Sequence, residues 1–173
     1  MARRADVAAA RLLAEHRVLS PPVNVEAIAT AAGALVIHRP FENGDVSGML
    51  FRSGRQDIIG VNSTHGQERQ RFTIAHELGH RALHPGRELI LDVPVRVNFR
   101  DRTSSQATDR EEIEANAFAA ALLMPDQMVR DELDRLPVHL RRDPSHSAFA
   151  LADVFSVSVQ ALSFRLINLG LMT

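Results

Sequence analysis

The chain of 173 residues contains no cysteine, tryptophan or tyrosine, and all 20 of its basic side chains are arginine. The missing cysteine excludes disulfides, thiol nucleophiles and thiolate metal sites, so any metal must be held by nitrogen and oxygen. The preference for arginine over lysine carries no mechanism. An excess of either charge is also missing, because 20 basic and 21 acidic side chains leave a formal charge of −1. A balance of that kind does not describe a generic binder of nucleic acid or of membrane surfaces. No apolar run approaches the length needed to cross a bilayer. The opening MARRADVAAARLLAEHR has the arginines of a signal peptide, but Arg11 and Glu15 interrupt its apolar stretch and no small-residue cleavage site follows. It is expected to be an amphipathic helix of a cytoplasmic protein. The length, with 45% hydrophobic and 24% charged residues, excludes wholesale disorder and suits one domain with a sizeable core.

Apolar spacing and turn residues divide the chain into helices around a small sheet. Residues 6–16 and 25–32 read as helices, the second capped by Asn24 and stopped by Gly33. Three strands are expected over 34–39, 46–52 and 57–61, separated by Asn43-Gly44-Asp45 and Ser53-Gly54. Turns that tight favour an antiparallel meander, with a mixed sheet as the alternative. A long helix should run from Ser63 or Thr64 to His84, ending before Pro85-Gly86. Residues 85–108 read as irregular, with room for an extended segment in 90–99. Helices follow over 109–124, 126–136, 147–155 and 159–169. The expected class is α+β, a three-stranded sheet flanked by helices. The whole of 1–173 is expected to be one domain: N-terminal helices to 33, a core over 34–125, and a C-terminal helical part over 126–173.

Chemistry concentrates in Phe72-Thr73-Ile74-Ala75-His76-Glu77-Leu78-Gly79-His80, an H-E-x-x-H motif inside the long helix. Histidines four apart stand one above the other on a helix, so both imidazoles can reach one ion. Glu77 lies beside them, placed to take a proton from water. Zinc fits best, being content with nitrogen and oxygen and able to bring the pKa of bound water to about 7. Coincidence is the plain alternative, and roughly 2% of shuffled chains of this composition would carry the bare motif, so the surroundings must decide. Ile74, Ala75, Leu78 and Ala82 give the helix an apolar side distinct from its histidine side. Gly79 in mid-helix costs about 1 kcal/mol relative to alanine, which implies a close neighbour.

Two histidines leave the site incomplete, since catalytic zinc takes three protein ligands and a water. His84 continues the same line, but a straight helix cannot wrap three such residues around one ion, so a structural or supporting role is expected. Glu88, Asp92 and Asp101 lie in the irregular stretch. Glu112 is the better candidate, with Asn116 one turn later able to orient a histidine. Glu114 stays open as the alternative ligand, and acids that suit the helix dipole explain Glu111.

FTIAHELGHRALH followed by EIEANAFAAALLMP resembles the zinc-dependent metallo-endopeptidases of the ImmA/IrrE family, relatives of the gluzincins. The likeness runs from Val46 to Pro125, through SGML, Val61-Asn62, RQRFTIAHELGH and the E-x-x-AN-x-FAA-x-LLMP helix. It implies a zincin-like fold with His76, His80 and Glu112 as zinc ligands, Glu77 as general base and Asn116 holding a ligand histidine. It also implies that a sheet edge within 46–62 borders the peptide cleft. Family members cleave or control a helix-turn-helix (XRE-like) repressor or antitoxin in stress responses, mobile elements or toxin–antitoxin-like pairs, and this chain resembles the smaller, ImmA-type members. The oxyanion donor is not a tyrosine here. His65, His84, His139, His146 and the arginines are the candidates.

Residues 147–169 also resemble a helix-turn-helix around Ser156-Val157-Ser158. The second helix offers Gln160, Arg165 and Asn168 amid apolar residues, so it reads as packing and no direct nucleic-acid contact is expected. Arginines at 69 and 71, at 96, 100 and 102, and at 135, 141 and 142 read as solvated surface rather than as a basic rim. The rival to proteolysis is a zinc-binding toxin or sensor that acts by binding its partner.

Overall fold

An apolar run without polar alternation suits a strand covered on both faces, and Ile58-Ile59-Gly60-Val61 occupies the middle of the sheet. The computed structural model describes residues 2–86, 88–92, 102–141 and 143–172. Along the chain come α1 (Ala2–Glu15), α2 (Val25–Ala31), β1 (Ala34–Arg39), β2 (Gly48–Arg52), β3 (Asp57–Asn62) and α3 (Gln67–Leu83). They are followed by β4 (Leu89–Asp92), α4 (Arg102–Leu123), α5 (Asp126–Arg135), α6 (Val138–Arg141), α7 (Pro144–Phe155) and α8 (Val159–Asn168). The class is α+β.

Among the described residues the sheet has four strands in the order β1-β3-β2-β4, and it is mixed. β2 and β3 form an antiparallel pair with Leu50 opposite Ile59. Their turn is closed by Ser53, whose Oγ donates to Gln56 O at 2.7 Å and accepts from Gln56 N at 3.1 Å. The antiparallel meander fails at β1, which lies parallel to β3 with Val36 opposite Ile59. The reason is the connection over 40–47, too long for a tight hairpin, which carries the chain past β3 before β2 begins. The fourth strand, β4, comes from the stretch read as irregular and pairs with β2, Leu50 opposite Ile90. β2 is therefore an inner strand. The expectation of a substrate-bordering edge within 46–62 is corrected accordingly: β4 fills that edge, with Ile90 buried and Leu89 and Leu91 half exposed.

One hydrophobic core gathers residues from α1, α2, the sheet, α3, α4, α5, α7 and α8, with Phe118, Phe155, Leu50 and Ile59 among its fully buried members. α4 packs along α3 and α1. Close approach is possible because position 79 is glycine: a Cβ there would meet Ala115 Cα and O and Phe118 Cδ1, each at 3.1 Å. That neighbour is the one the mid-helix glycine implies.

Element boundaries shift for local reasons. α3 begins at Gln67 rather than at Ser63 or Thr64 because Asn62 Oδ1 accepts from Thr64 N at 3.1 Å and Thr64 Oγ1 at 2.8 Å. That Asx turn closes the strand before Gly66 starts the helix. α4 begins seven residues before the expected Asp109, through a segment without proline or glycine.

At the C-terminus α7 and α8 meet at 111° around Ser156-Val157-Ser158, an angle within the usual helix-turn-helix range. Ser158 Oγ caps α8 by accepting from Ala161 N at 3.2 Å. Leu162, Arg165 and Leu166 turn inward. Arg165 Nε donates to Met124 O at 3.0 Å and Nη1 reaches Asp6 Oδ1 at 3.3 Å, so this arginine ties elements together. Arg71 does likewise, donating to Val23 O at 2.8 Å and Ser156 O at 3.1 Å. Arg96 and Arg100 lie outside the described residues. No single helix among the described residues is long and apolar enough to cross a membrane.

Candidate metal centre

Residues 76 and 80 share one face of α3 by helical spacing, and α4 brings Glu112 against that face. His76 and His80 are 3% and 1% exposed, and Glu77 is fully buried. His76 Nε2 lies 3.0 Å from His80 Nε2, 3.1 Å separates it from Glu112 Oε2, and His80 Nε2 lies 3.2 Å from Glu112 Oε1. One ligand atom from each residue can hold a metal ion. The spacing fits a tetrahedral ion, because bonds of about 2.0–2.1 Å give donor–donor edges of about 3.3 Å.

The electrostatics agree with a cation site. Burial works to raise the Glu112 pKa, but its close contacts with His76 and His80 prevail and bring it down to about 2. Burial lowers the His80 pKa, with Glu112 opposing and His76 and His84 assisting. The lowered Glu112 pKa leaves an ionised carboxylate beside two imidazoles, and burial disfavours the charged form of His80, which suits the donor set a divalent ion requires. Both folded-state values lie below the unfolded ones, so both groups contribute stability above their unfolded pKa and lose it as the pH falls. Urea unfolding of the metal-free protein should therefore show stability declining below about pH 6.5. The decline should deepen from 4.5 towards about 2 as Glu112 protonates. A midpoint that rises on acidification would overturn this assignment.

Each histidine is also held on its far side. His76 Nδ1 is 3.0 Å from Asn116 Oδ1, which can only accept, so His76 donates there and presents Nε2 to the cluster. His80 Nδ1 faces His84 Nδ1 at 3.2 Å, and His84 Nε2 faces Glu114 Oε2 at 3.1 Å. Glu114 thus lies behind the cluster, and its carboxyl is held below the usual range by His84, with burial opposing and Arg110 and Arg4 assisting. Arg52, on β2, donates to His80 O at 3.1 Å and His84 O at 3.0 Å, a cation at the carbonyl end of α3. Sequence reasoning missed Arg4 and Arg52 because no local pattern marks a side chain that arrives from another element.

The remaining candidates lie elsewhere. Glu88 is exposed, and its carbonyl accepts from Arg52 N at 2.8 Å; Asp101 lies outside the described residues. Among the candidate oxyanion donors, His84 is turned away from the cluster. His65 Nε2 lies 3.4 Å from Gly44 O, and His139 and His146 sit on α6 and α7.

Two surfaces border the centre. Gly48 at the start of β2 lets the sheet approach α3: a Cβ there would lie 2.2 Å from Thr73 Cγ2 and 3.3 Å from Glu77 Oε1. A groove of about 920 Å³ also runs between α3, α4 and α8, lined by Asn116 and Glu114 from behind the cluster and by Phe72, Ala120, Met124 and Phe164, while His76, Glu77, His80 and Glu112 are outside its lining. Arg69 joins that lining and donates to Ser47 Oγ at 2.7 Å.

Comparison with known proteins gives a consistent result. The family model described as the IrrE N-terminal-like domain (peptidase family M78) matches residues 29–167. Over 80 residues the chain is 35% identical to the radiation response metalloprotease IrrE of Deinococcus radiodurans, covering 46% of this chain and 23% of that protein. The protein of the same name from Deinococcus deserti is 37% identical over 79 residues, 45% of this chain and 26% of the relative. An uncharacterized immunity region protein 2 of Bacillus phage phi105 is 34% identical over 87 residues, 49% of each chain. The alignments therefore span half or less of the length of these curated relatives.

Proposed function

The chain belongs to the IrrE N-terminal-like family of peptidases, and from that premise we propose that it is a zinc-dependent endopeptidase that cuts a regulatory protein. The observation that carries this reading is the convergence of His76, His80 and Glu112 beside a buried Glu77. His76, His80 and Glu112 are assigned as the ligands of one zinc ion, Glu77 as general base, and Asn116 as the residue that holds His76. A divalent ion bound there supplies a Lewis acid that polarises a peptide carbonyl and acidifies water. Glu77 takes the proton from the attacking water and returns it to the leaving amine nitrogen. Burial keeps bulk solvent away from the Glu77 carboxylate, so the proton passes between carboxylate and substrate.

The groove beside Asn116 and Phe72 suits the apolar side chains of a polypeptide, and Arg69 at its wall offers a cation to a peptide carbonyl. The partner proposed is a helix-turn-helix repressor or antitoxin, in keeping with the metalloprotease and immunity-region names of the relatives. A cytoplasmic location suits such a target. Residues 1–173 are taken as one domain, since a single apolar core draws on helices from both ends of the chain and on the sheet.

Glu77 separates this reading from that of a toxin or sensor acting through binding alone, because holding a metal needs no acid next to the first ligand. The test is to incubate the zinc-loaded protein, and the same protein stripped by chelation, with any helix-turn-helix protein encoded beside its gene. One discrete fragment pair with the loaded protein only is the expected result. A stable complex with no fragment would replace proteolysis with the binding reading.

A further inference from the structure

A metal-binding imidazole works only if the nitrogen facing the ion carries a lone pair, and that depends on where the ring keeps its proton. His76 has its proton directed to Nδ1 by the Asn116 carbonyl oxygen. His80 has no such group: the atom 3.2 Å from its Nδ1 is a second imidazole nitrogen, His84 Nδ1. A neutral imidazole can donate or accept at that atom, so this contact alone leaves the His80 proton undecided. The choice is made one residue further back. Glu114 Oε2 lies 3.1 Å from His84 Nε2, and a carboxylate can only accept, so the proton of a neutral His84 sits on Nε2. His84 Nδ1 then has a lone pair, His80 Nδ1 must be the donor, and His80 Nε2 is left open towards His76 and Glu112.

The chain of contacts is built with care for burial. His84 is 9% exposed and Glu114 4%. Glu114 is clamped from two helices, by Arg4 Nη1 on its Oε2 and by Arg110 Nε on its Oε1, both at 3.4 Å. Arg4 also donates to Leu83 O at 2.9 Å, tying α1 to the end of α3 beside His84. Resting on the reading of His76, His80 and Glu112 as ligands, we propose that His84 and Glu114 are positioning residues that select the Nδ1–H tautomer of His80 and aim its Nε2 at the metal. The centre thus has two unlike supports, a direct amide behind His76 and a two-residue relay behind His80.

The variants follow from side-chain shape. His84→Asn places an amide oxygen where Nδ1 stood and keeps the acceptor; His84→Leu removes it with little change in volume. Glu114→Gln keeps its size but can present either an acceptor or a donor to His84, so it frees the tautomer. Zinc affinity, measured by chelator competition on the full chain, should fall about 10–100-fold in His84→Leu, stay within about 3-fold in His84→Asn, and be intermediate in Glu114→Gln. Long-range ¹⁵N–¹H spectra of the zinc-loaded wild type should show the His80 proton on Nδ1 and the His84 proton on Nε2. That measurement needs no variant, so a variant that fails to fold does not remove the test. A His84 proton on Nδ1, or equal zinc loss in His84→Asn and His84→Leu, would overturn the relay. His80→Ala separates the two readings. If it binds zinc like wild type, the ligand assignment itself falls; if it loses zinc while His84→Leu keeps it, only the relay falls.

Discussion

His80→Ala should abolish stoichiometric zinc binding and with it the whole zinc-dependent gain in melting temperature. The wild-type gain is set by linkage: an ion that binds only the folded chain, at free concentration 1,000 times its Kd, stabilises by about 4 kcal/mol. For a chain of this size about 1 kcal/mol corresponds to about 2–4 °C, so zinc should raise the wild-type Tm by about 8–16 °C. The alanine variant leaves His76 and Glu112 with one donor fewer and an apolar methyl at the third corner, and should melt at the same temperature with and without zinc. Metal analysis and paired melting curves check both parts. Zinc content equal to wild type would remove His80 from the site.

Glu77→Gln should separate metal binding from hydrolysis. The amide is almost isosteric and can still sit against Gly48 and Thr73, so the fold and the zinc content should not change. What it lacks is a basic oxygen. General-base catalysis contributes about 10²–10⁴-fold, and turnover of a cleavable partner should fall by that amount with the affinity for the partner preserved. Single-turnover cleavage with wild type and variant, at partner concentrations above saturation, reads this directly. A variant that cuts within about 3-fold of wild type would leave Glu77 without a chemical role.

Much of the site was legible because its residues follow helical spacing. His76, Glu77 and His80 declare themselves through i and i+4 on one helix, and Glu112 and Asn116 repeat that spacing on another. Gly79 announced the close approach of the two helices because a glycine that costs helix stability needs a neighbour to explain it. Glu114 was harder. As a carboxylate near Glu112 it qualified equally as a ligand, and only the three-dimensional contact with His84 assigns it to the far side.

Strand positions were legible for the same local reasons, while pairing was not. Ala34–Arg39 has the same boundaries as expected, yet its neighbour in the sheet is β3 and not the next strand in sequence. That choice rests on the long connection over 40–47 and on the packing of β1 against α2, neither of which shows as a period within the strand itself. The short β4 overlaps the extended segment allowed over 90–99, though four residues are too few to fix its bounds by a period. Arg4 and Arg52 reach the back of the site from α1 and β2, and nothing in their own neighbourhoods signals it.

The split of the ligand set between α3 and α4 has a mechanical consequence. His76 and His80 come before the connecting segment and Glu112 comes after it, so an ion held by all three is a cross-link that closes a loop in the chain. Because the ion leaves when the chain unfolds, its contribution to stability comes from binding the folded chain, and it ties the two segments together only while bound. A cut anywhere in 85–101 would leave the two pieces clipped together through the ion as well as through the packing at Gly79 and Ala115. Removing the ion from the nicked molecule would take away the clip and leave the packing alone to resist separation.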